Sequence, residues 1–146
     1  MIHRANLTFS KKLKPRAVDS IKFFILHHSE VTASHTVEEV HRWHLNKGWA
    51  GIGYHYFISK AGEIYEGRPL DTVGAHTYGY NSNSVGVCFE GDFNKEEMGE
   101  KQLNAGVMLL CWLKQAYPEA TIVRHGRLVK GKTCPGRHFP FDKLAG

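Results

Sequence analysis

The chain has 146 residues, 42% hydrophobic and 23% charged, with a formal net charge of +5. That size suits one domain with its own core, and three cysteines are too few for a disulfide framework. The longest apolar run, Val107 to Leu113, is far too short to span a bilayer, and no apolar stretch follows the basic N-terminus as a secretory signal would require. The expectation is a monomeric protein made in the cytoplasm, without a signal peptide and without stable membrane association.

Arg4, Lys11, Lys12, Lys14 and Arg16 carry the whole net charge, and no acid lies among residues 1–16. Residues 1–20 therefore read as a solvated basic arm, with weak attraction to an anionic polymer as the sharper alternative. No interleaving of basic and aromatic positions marks a nucleic-acid module, so no nucleic-acid partner is expected.

Ile21 to Leu26 is a short continuous apolar run, the pattern of a strand buried on both faces, and it ends in His27, His28 and Ser29. Thr36 and Glu39 form a capping-box signature for a helix running to Asn46 or Lys47, stopped by Gly48. Val37, Val40, His41, His44 and Leu45 share one face of it. Tyr54 to Ser59 and Glu63 to Glu66, joined through Gly62, read as a hairpin. Residues 67–83 are loop-like, and Ser84 to Glu90 is another inner strand. Asn94 with Glu97 marks a second helix start, with Leu103, Val107, Leu110 and either Lys114 or Leu113 as its core-facing stripe. Pro118 bounds that helix, Thr121 to Val123 is a last strand, and Phe141 to Leu144 a final turn. Strands and helices alternate around a central hairpin, so the fold class is α/β: one domain, 1–146, with a central mixed sheet flanked by helices.

Cys88 and Cys111 lie in apolar runs and read as small buried hydrophobes, whereas Cys134 sits in a polar turn beside Pro135. Of ten histidines, His3 and His35 fall in surface-like segments. His41 and His44 stand three apart on a helix with no third ligand nearby, and His138 has no evident partner. His27 and His28 point to opposite faces of their strand, so one ring alone can reach a given site. His125 and Cys134 offer an imidazole and a thiolate from one loop, two of the three protein ligands of an open zinc site.

The segments LHHS at 26–29, GYHYFISKAGEIYEGR at 53–68, GAHTYGYNSNSVGVCFEGDF at 74–93 and RHGRLVKGKTCPG at 124–136 together resemble the zinc-dependent N-acetylmuramoyl-L-alanine amidases. That family takes in the phage lysozyme-type amidases and the animal peptidoglycan recognition proteins, and the resemblance runs from about Ile21 to Pro135. It implies a peptidoglycan recognition protein-like fold and a Zn2+ ion held by His27, His125 and Cys134. It also implies Tyr54 and Lys132 as catalytic residues, and His76 and Asn81 as contacts to the muramyl peptide of bacterial peptidoglycan. His125 and Cys134 are nine apart, one more than the family pattern leads us to expect, which places an extra residue among Leu128 to Lys130. Arg68 is a further candidate, for a peptide carboxylate. The implied setting is an endolysin acting on the cell wall after phage-mediated release.

The chemistry agrees: two neutral imidazoles and a thiolate leave a zinc site with net charge +1 and an open position for water. Two other readings are kept, a non-catalytic peptidoglycan-binding module and a muramidase using Glu90 with Asp92 or Glu63 with Glu66.

Overall fold

The structure, a computed structural model, describes residues 1–146. Six strands, Ile2–Arg4 (β1), Phe23–His28 (β2), Tyr56–Ile58 (β3), Ile64–Glu66 (β4), Ser84–Phe89 (β5) and Thr121–Arg124 (β6), form one sheet in the order β1-β4-β3-β5-β2-β6. Only the β3–β4 hairpin is antiparallel; the other four pairings are parallel. The helices are Val37–Asn46 (α1), Glu100–Ala116 (α2), His125–Leu128 (α3) and Phe141–Ala145 (α4). The mixed α/β sheet is thus as expected.

Strand β2 lies between β5 and β6, which explains its unbroken apolar run. Alternate residues then serve two cores. Phe24, Leu26, Tyr56, Ile58, Val85, Val87 and Phe89 join Leu109, Leu110 and Leu113 of α2 in a cluster of 17 buried residues. Phe57 and Cys88 meet Val37 and Val40 of α1, with Ile52, in a cluster of only five. His27 pairs in register with Cys88 and takes the α1 side.

Helix α1 starts as expected, with the Thr36–Glu39 capping box complete. Its histidines are structural. His44 Nδ1 accepts the Gly53 N–H, and His41 Nδ1 accepts that of Ile52, both at 2.9 Å.

Several expectations are corrected. The N-terminal arm is not a solvated extension. Residues 2–4 form the edge strand β1, Ser10 N–H donates to Ala50 O at 2.9 Å, and Leu7 and Phe9 pack on the α1 cluster. Arg16 reaches inward, donating to Leu70 O at 2.9 Å and Ser84 O at 2.6 Å. Helix α2 begins at Glu100 behind Gly99, not at Asn94, whose Oδ1 instead accepts the Arg137 N–H. Its core-facing stripe is as expected, with Leu110 and Leu113 buried and Leu103 and Val107 packed against the same cluster; Gln102, Ala105, Gly106 and Leu109 widen the buried face, and Met108 and Trp112 stay exposed. Cys111 is exposed, while Cys88 is buried as expected. His35 is buried, with Nδ1 donating to Ala33 O at 2.7 Å. Arg68 is buried too, its guanidinium donating to Ile52 O and Val73 O, so it serves the fold and not a substrate carboxylate. His138 has a partner in Glu97 at 3.5 Å.

Candidate active site

Parallel strands β2 and β6 end on the same edge of the sheet, where open α/β sheets place their chemistry. His27 comes from the end of β2, and His125 follows β6 directly, opening α3. Their ring centroids are 4.5 Å apart. The chain then returns through Gly131, at φ 87°, and the Gly126 N–H closes the loop on Cys134 O at 2.9 Å. A Cβ on Gly126 would fall 2.3 Å from Lys132 O, so that closure needs glycine. The nine-residue spacing is absorbed in this way. One ligand atom each from His27, His125 and Cys134 lies within 4.8 Å of the others.

His28 points to the α2 side, as strand alternation requires, and its Nδ1 accepts the Phe93 N–H at 3.1 Å. Its backbone N–H nevertheless serves the site, donating to Cys134 Sγ at 3.3 Å.

The donor set fits zinc. His27 Nδ1 stands 3.7 Å from Cys134 Sγ, and zinc bonds of about 2.0 Å to nitrogen and 2.3 Å to sulfur at a tetrahedral angle put such atoms about 3.5 Å apart. His125 Nδ1 is buried with no hydrogen-bond partner. Burial pushes the Cys134 thiol up to about 12, against the pull of the His28 N–H, so a free thiolate there calls for a cation. Burial also holds His27 well below its usual pKa and lowers His125 to about 4, with Lys132 adding to the latter. Both imidazoles are therefore neutral, as ligands must be.

These residues form the floor of a groove of about 750 Å³. Tyr54 lines it with its ring 5.1 Å from that of His27. Burial, with Cys88 and Cys134 nearby, keeps its phenol protonated and able to donate. Lys132 lines the groove from the exposed side, whereas Arg127 and Lys130 stay in solvent.

His76 and Asn81 also line the groove, but their polar atoms are largely engaged by the protein. His76 Nδ1 is 2.9 Å from His27 Nε2, and its Nε2 is 3.2 Å from Ser84 Oγ. Asn81 Oδ1 accepts the N–H groups of His76 and Thr77, both at 2.8 Å. Sequence reasoning missed Trp43 and Trp49, which wall the groove from the α1 side, and Glu30, held at φ 66° on its rim. The pairing of an exposed Trp49 with Lys47 at 5.2 Å has no counterpart in the helical pattern that drew attention to α1.

Glu90, buried, accepts the N–H groups of His35 and Lys60 with its two oxygens, and Glu63 pairs with His3. Glu30 is the one carboxylate on the groove, so no acid pair stands ready for glycoside hydrolysis.

Residues 17–137 match the sequence profile of the N-acetylmuramoyl-L-alanine amidases. The chain belongs to that amidase family. The endolysin of Enterobacteria phage K11 is 38% identical over 119 residues, 77% of this chain and 78% of the relative. The solved endolysin amidase LysCS of Clostridium intestinale superposes with a TM-score of 0.91 at 32% identity, over 99% of this chain and 92% of the other. Peptidoglycan recognition protein-LE, solved in complex with tracheal cytotoxin (monomeric diaminopimelic acid-type peptidoglycan), gives a TM-score of 0.84 at 26% identity over 94% and 86%. The family and its endolysin members support peptidoglycan amidase activity for this chain, with the peptidoglycan recognition protein-like fold.

Proposed function

We propose that the amidase is zinc-dependent and hydrolyses the amide between N-acetylmuramic acid and L-alanine, with residues 1–146 as one catalytic domain. The observation that carries this reading is the convergence of His27, His125 and Cys134 on the floor of the groove. Zinc bound there would lower the pKa of water to about 7 and polarise the substrate carbonyl. The chain's own residues do the rest. His27 and His125 enter as neutral donors, and the His28 N–H steadies the Cys134 sulfur. Tyr54, kept protonated by burial, donates toward the reacting carbonyl. Lys132 sets its positive charge where the oxyanion develops, an interaction stronger in the transition state than in the ground state. The groove between Trp43, Trp49 and the 74–81 loop takes the muramyl peptide, by analogy with the relative that binds tracheal cytotoxin. In a cell this activity would serve wall lysis, following release of the enzyme through a breached membrane.

A purely binding module has no use for Tyr54, Lys132 and Cys134 arranged about one point. Chelation should abolish release of new alanine N-termini from purified cell walls, and added zinc should restore it. Cys134→Ser should still sediment with walls while failing to cut them. Undiminished cleavage by the metal-stripped protein or by that variant would sink the proposal. New reducing sugar ends instead of amino groups would return the muramidase reading.

A further inference from the structure

A zinc-binding imidazole must present a bare nitrogen to the metal, and the hydrogen bond at its other nitrogen decides which one is bare. Around His27 that decision is made far from the ligands. Ser84 Oγ lies 2.6 Å from Tyr80 O, and a carbonyl only accepts, so the single serine hydrogen is committed to it. Ser84 Oγ must then accept from His76 Nε2 at 3.2 Å. With its hydrogen on Nε2, neutral His76 has a bare Nδ1, which accepts from His27 Nε2 at 2.9 Å. His27 is left with a bare Nδ1, the atom 3.7 Å from Cys134 Sγ. Thr77 Oγ1 touches both inner nitrogens, at 2.9 and 3.2 Å, and its one hydrogen could go to either. Giving it to a bare His27 Nε2 would leave two lone pairs facing each other across 2.9 Å, which works against reversing the sequence.

The His76 ring is also clamped. A Cβ on Gly74 or on Gly86 would come within 2.6 Å of its Cδ2, so both glycines leave the ring its room. Asn81 Oδ1 fixes the loop backbone at His76 and Thr77.

We propose that His76 is a positioning residue. Through a relay anchored on the Tyr80 carbonyl, it holds His27 in the one tautomer whose Nδ1 can bind zinc. This rests on the zinc reading above and replaces the expected contact between His76 and substrate, since both ring nitrogens are occupied. Metal-bound histidines usually pass their second hydrogen to a carboxylate, a carbonyl or water. Here a second neutral imidazole and a serine carry the same instruction to a backbone carbonyl.

The test uses the full chain with zinc ion as the probe, and reads the dissociation constant by competition with a chromophoric chelator. His76→Leu, which fills the space without an acceptor, should weaken zinc binding about 10–100-fold. His76→Asn can place an amide oxygen near the old Nδ1 and should recover most of that loss. Ser84→Ala, which frees the far end, should fall between them. Nitrogen-15 NMR of the zinc-free wild type should show the His27 hydrogen on Nε2. Unchanged zinc affinity in His76→Leu, or a His27 hydrogen on Nδ1, would overturn the relay. If His76→Leu does not fold, the other two variants and the wild-type spectrum still decide. A wild type that binds no zinc would defeat the zinc reading instead, while the spectrum tests the relay alone.

Discussion

The two faces of the sheet are made from alternate residues of the same strands, yet they are held by different forces. On the α2 side, 17 buried apolar residues form one cluster. On the α1 side the apolar cluster has five, and the remaining interior is filled by His27, His44, His55 and His76 with their hydrogen bonds. Dispersion and burial tolerate small displacements, whereas a chain of directed hydrogen bonds fixes atoms in place. The dry face supplies stability, and the wet face supplies position. The groove with His27, His125 and Cys134 opens on the wet one.

That division is open to a paired test. Lys132→Ala on the groove should lower kcat about 10²–10³-fold while leaving the unfolding midpoint unchanged, because the side chain is exposed and, in the mechanism proposed above, acts on developing charge. Leu109→Ala, in the α2 core at 2% exposure, should cost about 2–5 kcal/mol of stability yet leave kcat per folded molecule intact. Denaturant titration and release of wall amino groups, measured on both variants, check the pair. A Leu109→Ala enzyme as slow as Lys132→Ala would show the two faces to be mechanically coupled.

How much of this was legible in the sequence follows the same line. Elements declared by local chemistry were readable: the Thr36–Glu39 capping box, the buried β2 run, the Gly62 hairpin. Opposite facing of His27 and His28 needed only strand periodicity. What escaped was fixed by distant partners. Arg16 is drawn inward by carbonyls 54 and 68 positions away, so nothing in residues 1–20 distinguishes it from its solvated neighbours. Asn94 has the composition of a helix cap but is claimed by the Arg137 N–H, across the fold. Cys111 sits in an apolar run whose register places Gln102, Ala105 and Leu109 inward and turns the thiol out. His76 stood out as a polar residue in a loop, but its direction became clear only once β5 put Ser84 and Gly86 beneath its ring.

Acid sharpens the contrast next. His44 is lowered to about 4 and His55 to about 3, chiefly by burial, against an unfolded value near 6.5. Each spends its Nδ1 lone pair on a backbone N–H, of Gly53 and Gly86 respectively, which protonation would break. Because the unfolded chain takes up the proton more readily, the stability they lend is complete above pH 6.5. It is lost as pH falls from 6.5 toward 4 and 3. At pH 5 the loss is about 2 kcal/mol per histidine. Hydrogen exchange at pH 7 and 5 should show protection falling first in residues 37–46 and last in residues 100–116. Uniform loss across both helices would mean that the faces unfold as one unit.

The smallest effect concerns the outer surface of α2, where Cys111 is exposed while Cys88 lies wholly buried under α1. Burial raises the Cys88 thiol well above its usual pKa, so it has neither access nor thiolate character. Brief alkylation of the zinc-loaded protein, mapped by mass spectrometry, should therefore place one label on Cys111. Amidase activity should not change, because this surface lies across the sheet from the groove. Cys88 should react only after denaturation. A label on Cys88 in the native protein would show the α1 face opening on the alkylation timescale. The hydrogen bonds on that face would then not hold the site as rigidly as the tautomer relay requires.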